Sequence, residues 1–119
     1  MKVLIVFNHQ PYDGSDVAWN GLRLAKKLAE RGNEVRIFLM NDSVDLARDC
    51  NKKPDNYDND LVAMLKEMYN NKEVELKVCG TCQARCGLFK NEPYFAPEIK
   101  ATMNDLAEWV ETSDKILTF

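Results

Sequence analysis

Three of the chain's four cysteines, Cys79, Cys82 and Cys86, fall within a span of eight residues that also holds Gly80, Thr81 and Arg85. The thiolate of cysteine is a strong nucleophile toward sulfur and a soft metal ligand, so such a cluster points to redox, sulfur-transfer or metal chemistry. The residues leading into it, Val74, Leu76 and Val78 alternating with Glu75 and Lys77, have the two-residue period of a strand. Gly80 breaks that strand, and Thr81 is a candidate N-cap for a helical turn starting at Cys82. Cys79 therefore sits where a strand ends and a helix begins. Loops and helix N-termini converge there in parallel α/β sheets, and both favour an anionic sulfur. Arg85 adds a fixed positive charge to the same segment.

Sulfur transfer needs a thiolate that attacks a sulfane sulfur, forming Cys–S–SH, and a second thiolate that then attacks the persulfide. Cys79 is the candidate nucleophile. Cys82, three residues on, is within reach to resolve or protect it, and Cys86 lies one helical turn beyond Cys82. Two other chemistries compete. A dithiol/disulfide redox protein of the thioredoxin type also uses Cys-Gly-x-Cys, but there the motif follows an early strand. A metal or iron–sulfur site could use the three soft ligands, with His9 or Cys50 as a fourth. Cys50 by itself reads as a buried small apolar residue, and His9 as a loop histidine. Asp13-Gly14-Ser15-Asp16 lacks the spacing of a phosphate or calcium loop and reads as a turn plus helix cap.

The elements that must position the cluster follow from periodicity. Lys2–Phe7 is a near-continuous apolar run, as in a strand buried on both faces. Asn8, His9 and Gln10 then open a loop. A helix capped by Ser15 or Asp16 places Ala18, Leu22, Ala25 and Ala29 on one face and stops at Gly32. A second strand covers Glu34–Met40. A short helix over Asp42–Cys50, with Val44 and Ala47 inward, and a polar loop over Asn51–Asn59 lead to a helix over Asp60–Tyr69. After the third strand and the cysteines, Pro97 is expected to open a last helix with Ile99, Met103, Leu106 and Val110 as its apolar stripe. Lys115–Phe119 closes as a fourth strand. Strands alternating with helices predict a single α/β domain over residues 1–119, a three-layer α/β/α sandwich with a parallel, flavodoxin-like sheet. The expected strand order is 2-1-3-4, with the first strand between the second and third, which would set Asn8 and His9 beside Cys79. The alternation of Glu75 and Lys77 requires that one face of the third strand be open, or covered by another subunit or a bent helix.

Composition narrows the function. With a net charge of -3 and no basic block, nucleic acid and anionic membranes are not expected partners. No apolar run approaches the roughly 18 residues of a membrane span, and no signal-peptide pattern precedes the first strand, so a cytoplasmic location is expected. No glycine-rich loop follows that strand, and no nucleotide or other cofactor is predicted.

Four features together resemble the DsrE/DsrF-like sulfur-relay family, which includes the TusD-related sulfurtransferase subunits. They are the Lys2-Val3-Leu4-Ile5-Val6 opening, the Gly32-bounded first helix, the Val78-Cys79-Gly80-Thr81-Cys82 motif, and the Asp114–Phe119 terminus. The resemblance runs the length of the chain. It implies a DsrE-like fold and a persulfide on Cys79, the cysteine directly after the third strand. It also implies sulfur donor and acceptor proteins as partners, and a homo-oligomer, trimer or hexamer. Where many relatives read Ala-Arg-Gly at the end of the motif, this chain has Arg85-Cys86-Gly87.

Overall fold

The computed structural model describes all 119 residues and is built on five parallel strands. Strand β1 (Lys2–Phe7) leads through helix α1 (Val17–Glu30) to β2 (Glu34–Leu39). A 3-10 segment (Asn41–Ala47) and helix α2 (Leu61–Asn70) connect to β3 (Val74–Cys79). One helical turn, α3 (Cys82–Arg85), follows. The chain then reaches a two-residue strand β4 (Lys100–Ala101), helix α4 (Met103–Thr112) and strand β5 (Lys115–Thr118).

The predicted α/β class with a parallel sheet and helices is what forms, but the strand order is corrected. It is β4-β3-β2-β1-β5, so β3 pairs with β2 and not with β1. The reason lies in the helices. Parallel crossovers are right-handed, so successive steps β1→β2→β3 in one direction put α1 and α2 on the same face. There Val3, Ile5 and Phe7 align with Val35, Ile37 and Leu39, and these with Val74, Leu76 and Val78. The return to β5, on the far side of β1, carries α4 across the opposite face. Trp109 of α4 meets the Phe38 ring edge-on at 6.3 Å, and Arg36 beneath it donates to Thr112 Oγ1 at 2.8 Å. One helix cannot cover a whole face. Glu75 and Lys77 of β3 accordingly border an open depression of about 560 Å³ lined also by Tyr69, Leu76 and Trp109. The alternation in β3 was the mark of a strand near the edge.

Local signals account for most element ends. Gly32 takes φ +89° just past α1, as a terminating glycine should. Asp60 caps α2 by accepting the Ala63 N–H at 3.0 Å. The last helix departs from expectation. Pro97–Ile99 is only a 3-10 turn, and α4 starts at Met103 behind a Thr102/Asp105 capping box. Its inward residues are Leu106 and Trp109, while Met103 and Val110 are exposed and Ile99 is buried outside the helix. The stretch read as a helix over Asp42–Cys50 is 3-10 and ends at Ala47, with Val44 and Ala47 fully buried. Cys50 is exposed, against the expected burial, because the segment ends before reaching it.

Candidate functional site

Cys79 is the last residue of β3, and the backbone is tied down immediately after it. Gly80 N donates to Ala101 O of β4 at 2.8 Å. A side chain at Gly80 would meet the Lys100 chain, 2.8 Å from where its Cβ would lie, so glycine lets β4 close against the motif. The single turn of α3 folds back and brings the cluster together. Cys79 and Cys82 are buried, with 6% and 9% of their surface exposed, and Cys86 is half-buried. All four cysteines are free thiols. Cys82 is the first residue of α3, three residues after Cys79 and four before Cys86. Burial is the largest cause that pushes the Cys82 thiol up to about 12, so it keeps its proton at neutral pH.

The loop carrying these thiols is held by a buried ion pair. Arg48 is completely buried and its guanidinium donates to Asp45 Oδ1 at 2.7 Å, Cys86 O at 3.0 Å, Gln83 O at 2.6 Å and Glu92 O at 3.0 Å. The other oxygen of Asp45 accepts the Leu88 N–H at 2.8 Å, and Asp42 accepts the Gly87 N–H at 3.1 Å. Thus the 3-10 segment clamps both sides of Cys86. Burying one guanidinium is tolerable only because its donors meet a carboxylate and three carbonyls. Tyr94 completes the floor. Its hydroxyl donates to Cys79 O at 2.6 Å, and its ring lies 5.6 Å from the Arg48 guanidinium carbon.

The sequence-predicted residues are distributed unevenly around this cluster. Arg85 lies exposed at the end of α3. Thr81 is exposed and makes no cap hydrogen bond, contrary to its expected role, since its backbone is already helical at φ -63° and ψ -36°. His9 is exposed at the end of β1, and with β2 standing between β1 and β3 it is not set beside Cys79 as the predicted strand order required. Asn8 Oδ1 accepts the Asn41 side-chain N–H at 2.9 Å. No three His, Cys, Asp or Glu side chains are arranged to hold a metal ion. Sequence reasoning missed Asp45, Arg48 and Tyr94. For Asp45 and Arg48 a signal existed: two charges three residues apart within the otherwise apolar run Val44-Asp45-Leu46-Ala47-Arg48. No helix is long and apolar enough to cross a membrane.

A strand-terminal thiol under a short helical turn, on a parallel sheet with helices on both faces, defines an α/β protein with a thiol site at the carboxyl edge of its sheet. The chain belongs to the DsrE/DsrF-like family, whose sequence model matches residues 1–119. It is 34% identical to protein YchN of Escherichia coli K12 over 120 residues, covering 99% of this chain and 98% of that protein. It is 35% identical to the uncharacterized protein MK0008 of Methanopyrus kandleri, covering 98% and 93% of the two chains. The crystal structure of the E. coli ychN protein superposes with a TM-score of 0.80 at 34% identity, covering 100% of this chain and 99% of the other.

Proposed function

We propose that this protein is a sulfur carrier or sulfurtransferase that holds sulfane sulfur as a persulfide on Cys79 and passes it to the thiol of a partner protein. One observation carries the reading: Cys79, at the end of β3, shares a buried thiol cluster with Cys82 in a segment pinned by Arg48. A persulfide is easily oxidised and easily lost to stray thiols, so a buried, preorganised pocket suits a carrier better than an exposed cysteine such as Cys50. A cleft of about 480 Å³ lined by Gly80, Thr81, Lys100, Ala101, Thr102 and Met103 opens beside the motif and offers room for a donor or acceptor segment. Membership of a family associated with sulfur relay supports the same chemistry.

The carrier acts in the cytoplasm, as a homo-oligomer, exchanging sulfur with donor and acceptor proteins. Support for the oligomer comes from Met103, Val110, Ile116 and Leu117, apolar side chains left exposed on α4 and β5. The Cys79-Gly80-Thr81-Cys82 spacing also favours a second reading, a dithiol/disulfide redox protein. Intact mass after incubation with a sulfane-sulfur donor separates the two. Sulfur carriage adds about 32 Da that a reductant removes, and Cys79→Ser does not gain it. A dithiol redox protein instead loses two protons' mass on oxidation. Loading of Cys79→Ser at the wild-type level would move the nucleophile to Cys82 or Cys86.

A further inference from the structure

Strand β3 has a neighbour on its outer side only at its end, where Val78 and Cys79 pair with Lys100 and Ala101 of β4. From Val74 to Lys77 the outer edge is bare. Backbone groups in a strand point alternately to either side, and Gly80 N points outward, donating to Ala101 O at 2.8 Å. By the same alternation Val74 and Leu76 turn their N–H and C=O outward, while Glu75 and Lys77 turn theirs to β2. No backbone group of a turn or loop takes the outward groups of Val74 and Leu76. They open into the depression of about 560 Å³, which has a wall on each face of the sheet. Tyr69 of α2 stands on one, held by its hydroxyl bond to Glu98 Oε1 at 2.7 Å. Trp109 of α4 stands on the other, with the Lys77 ammonium 4.7 Å from its ring. Bare strand backbone between two aromatic walls is the shape of a missing strand. Its main chain supplies hydrogen bonds, and the side chains of an added strand alternate between the Tyr69 and Trp109 sides.

We propose that this edge binds an extended segment of a partner protein as an added strand in line with β4. The segment matches Val74–Lys77 in length, roughly 13 Å at about 3.3 Å per residue. Charge adds a further property. Among the lining residues Glu75 lies 3.8 Å from Arg36 and Lys77 lies 3.8 Å from Asp105, which leaves Lys72 without an ion pair. The segment therefore carries apolar residues at alternate positions and an acidic residue where it passes Lys72. A second copy of this chain fits worse. Pairing Val74 with Leu76 across a two-fold axis sets the two Glu75 side chains against each other. Pairing Leu76 with its own symmetry copy calls on Val78, whose outer side β4 already takes. Leu76 is three residues from Cys79, so a partner held here is held roughly 10 Å from that thiol, whatever the thiol carries.

Amide hydrogen exchange, followed residue by residue by NMR, tests the edge first. In the free protein the Leu76 amide is expected to exchange at least about tenfold faster than that of Lys77, which β2 protects. Equal protection of the two overturns the proposal, because the edge is then already filled. The probe for binding is a displayed library of random peptides, about eight residues long, selected on the folded wild-type protein. The tightest binder is then made synthetically. Its binding is expected to slow Leu76 exchange at least about tenfold. Methylating alternate peptide nitrogens on the strand-facing side should weaken it about tenfold or more, and methylating the other set less than about threefold. Lys72→Glu, an exposed change, should weaken it about threefold or more, and an unchanged affinity overturns the charge assignment. A library that yields no peptide protecting Leu76 overturns the proposal, as does binding indifferent to which nitrogens are methylated. A native mass above the monomer's that falls as peptide is added gives the edge to a second copy and overturns the partner segment.

Discussion

At the residue scale, Cys82 and Arg48 show opposite solutions to burial. Arg48 stays charged because Asp45 and three carbonyls replace its water. Cys82 has no cation of its own and stays neutral, its thiol pushed from 9.0 up to about 12. The consequence for stability has a definite sign. Below about pH 9 the thiol is protonated in both folded and unfolded chains and contributes no pH dependence. Between about 9 and 12 the unfolded chain gives up the proton while the folded one keeps it, so stability falls as pH rises. Tyr94, held above the ordinary tyrosine range chiefly by burial, adds a loss of the same sign at higher pH. Melting temperatures measured from about pH 8 to 11 should therefore decline above pH 9, and Cys82→Ser should decline less. Parallel curves for the two proteins would remove Cys82 as a source of the alkaline lability.

At the scale of elements, the short loop around Cys86 depends on Gly87. Its φ of +85° is strained for any other residue, and a Cβ there would run into the Asp45 carboxylate that holds Arg48. Gly87→Ala should lose more than about 1 kcal/mol in urea denaturation, since strain and a displaced buried carboxylate act together. A loss of only a few tenths would mean that Asp45 is free to move aside. This clamp was illegible in the sequence for a physical reason. Hydrophobic periodicity reports which residues are inside, and Val44 and Ala47 were read correctly that way. It does not report which distant carbonyls a buried arginine will find. Strands β1, β2, β3 and β5, α1 with its Gly32 stop, and the strand-end placement of Cys79 were legible because each is written in consecutive residues, whereas the two-residue β4 fell inside a stretch read as helix. Strand order was not, because neighbours in a parallel sheet are chosen by the covering helices. The start of α4 was available in Thr102-x-x-Asp105 but was outcompeted by the proline before it.

At the scale of the whole molecule, the two faces of the sheet are unequally covered, and exposed apolar side chains gather on the side of α4 and β5. Met103 and Val110, seven residues apart, share a face of α4 and are 60% and 41% exposed. Ile116 and Leu117 of β5 are 45% and 37% exposed. If copies of the chain meet there, Val110→Asp and Ile116→Asp should shift the native mass toward that of a monomer, leaving the proposed sulfur loading at Cys79 intact. A wild type that is already monomeric at micromolar concentration would dispose of the oligomer. The position of β5 has one more consequence. It pairs with β1, and the Lys2 N–H reaches Asp114 Oδ2 across 112 residues. Until that pairing forms, β1 is bare along one side, a border strand with unmet hydrogen-bonding groups. On contact-order grounds the β1–β2–β3 pairings, which span shorter stretches of chain, are expected to form before β5 closes that side of β1.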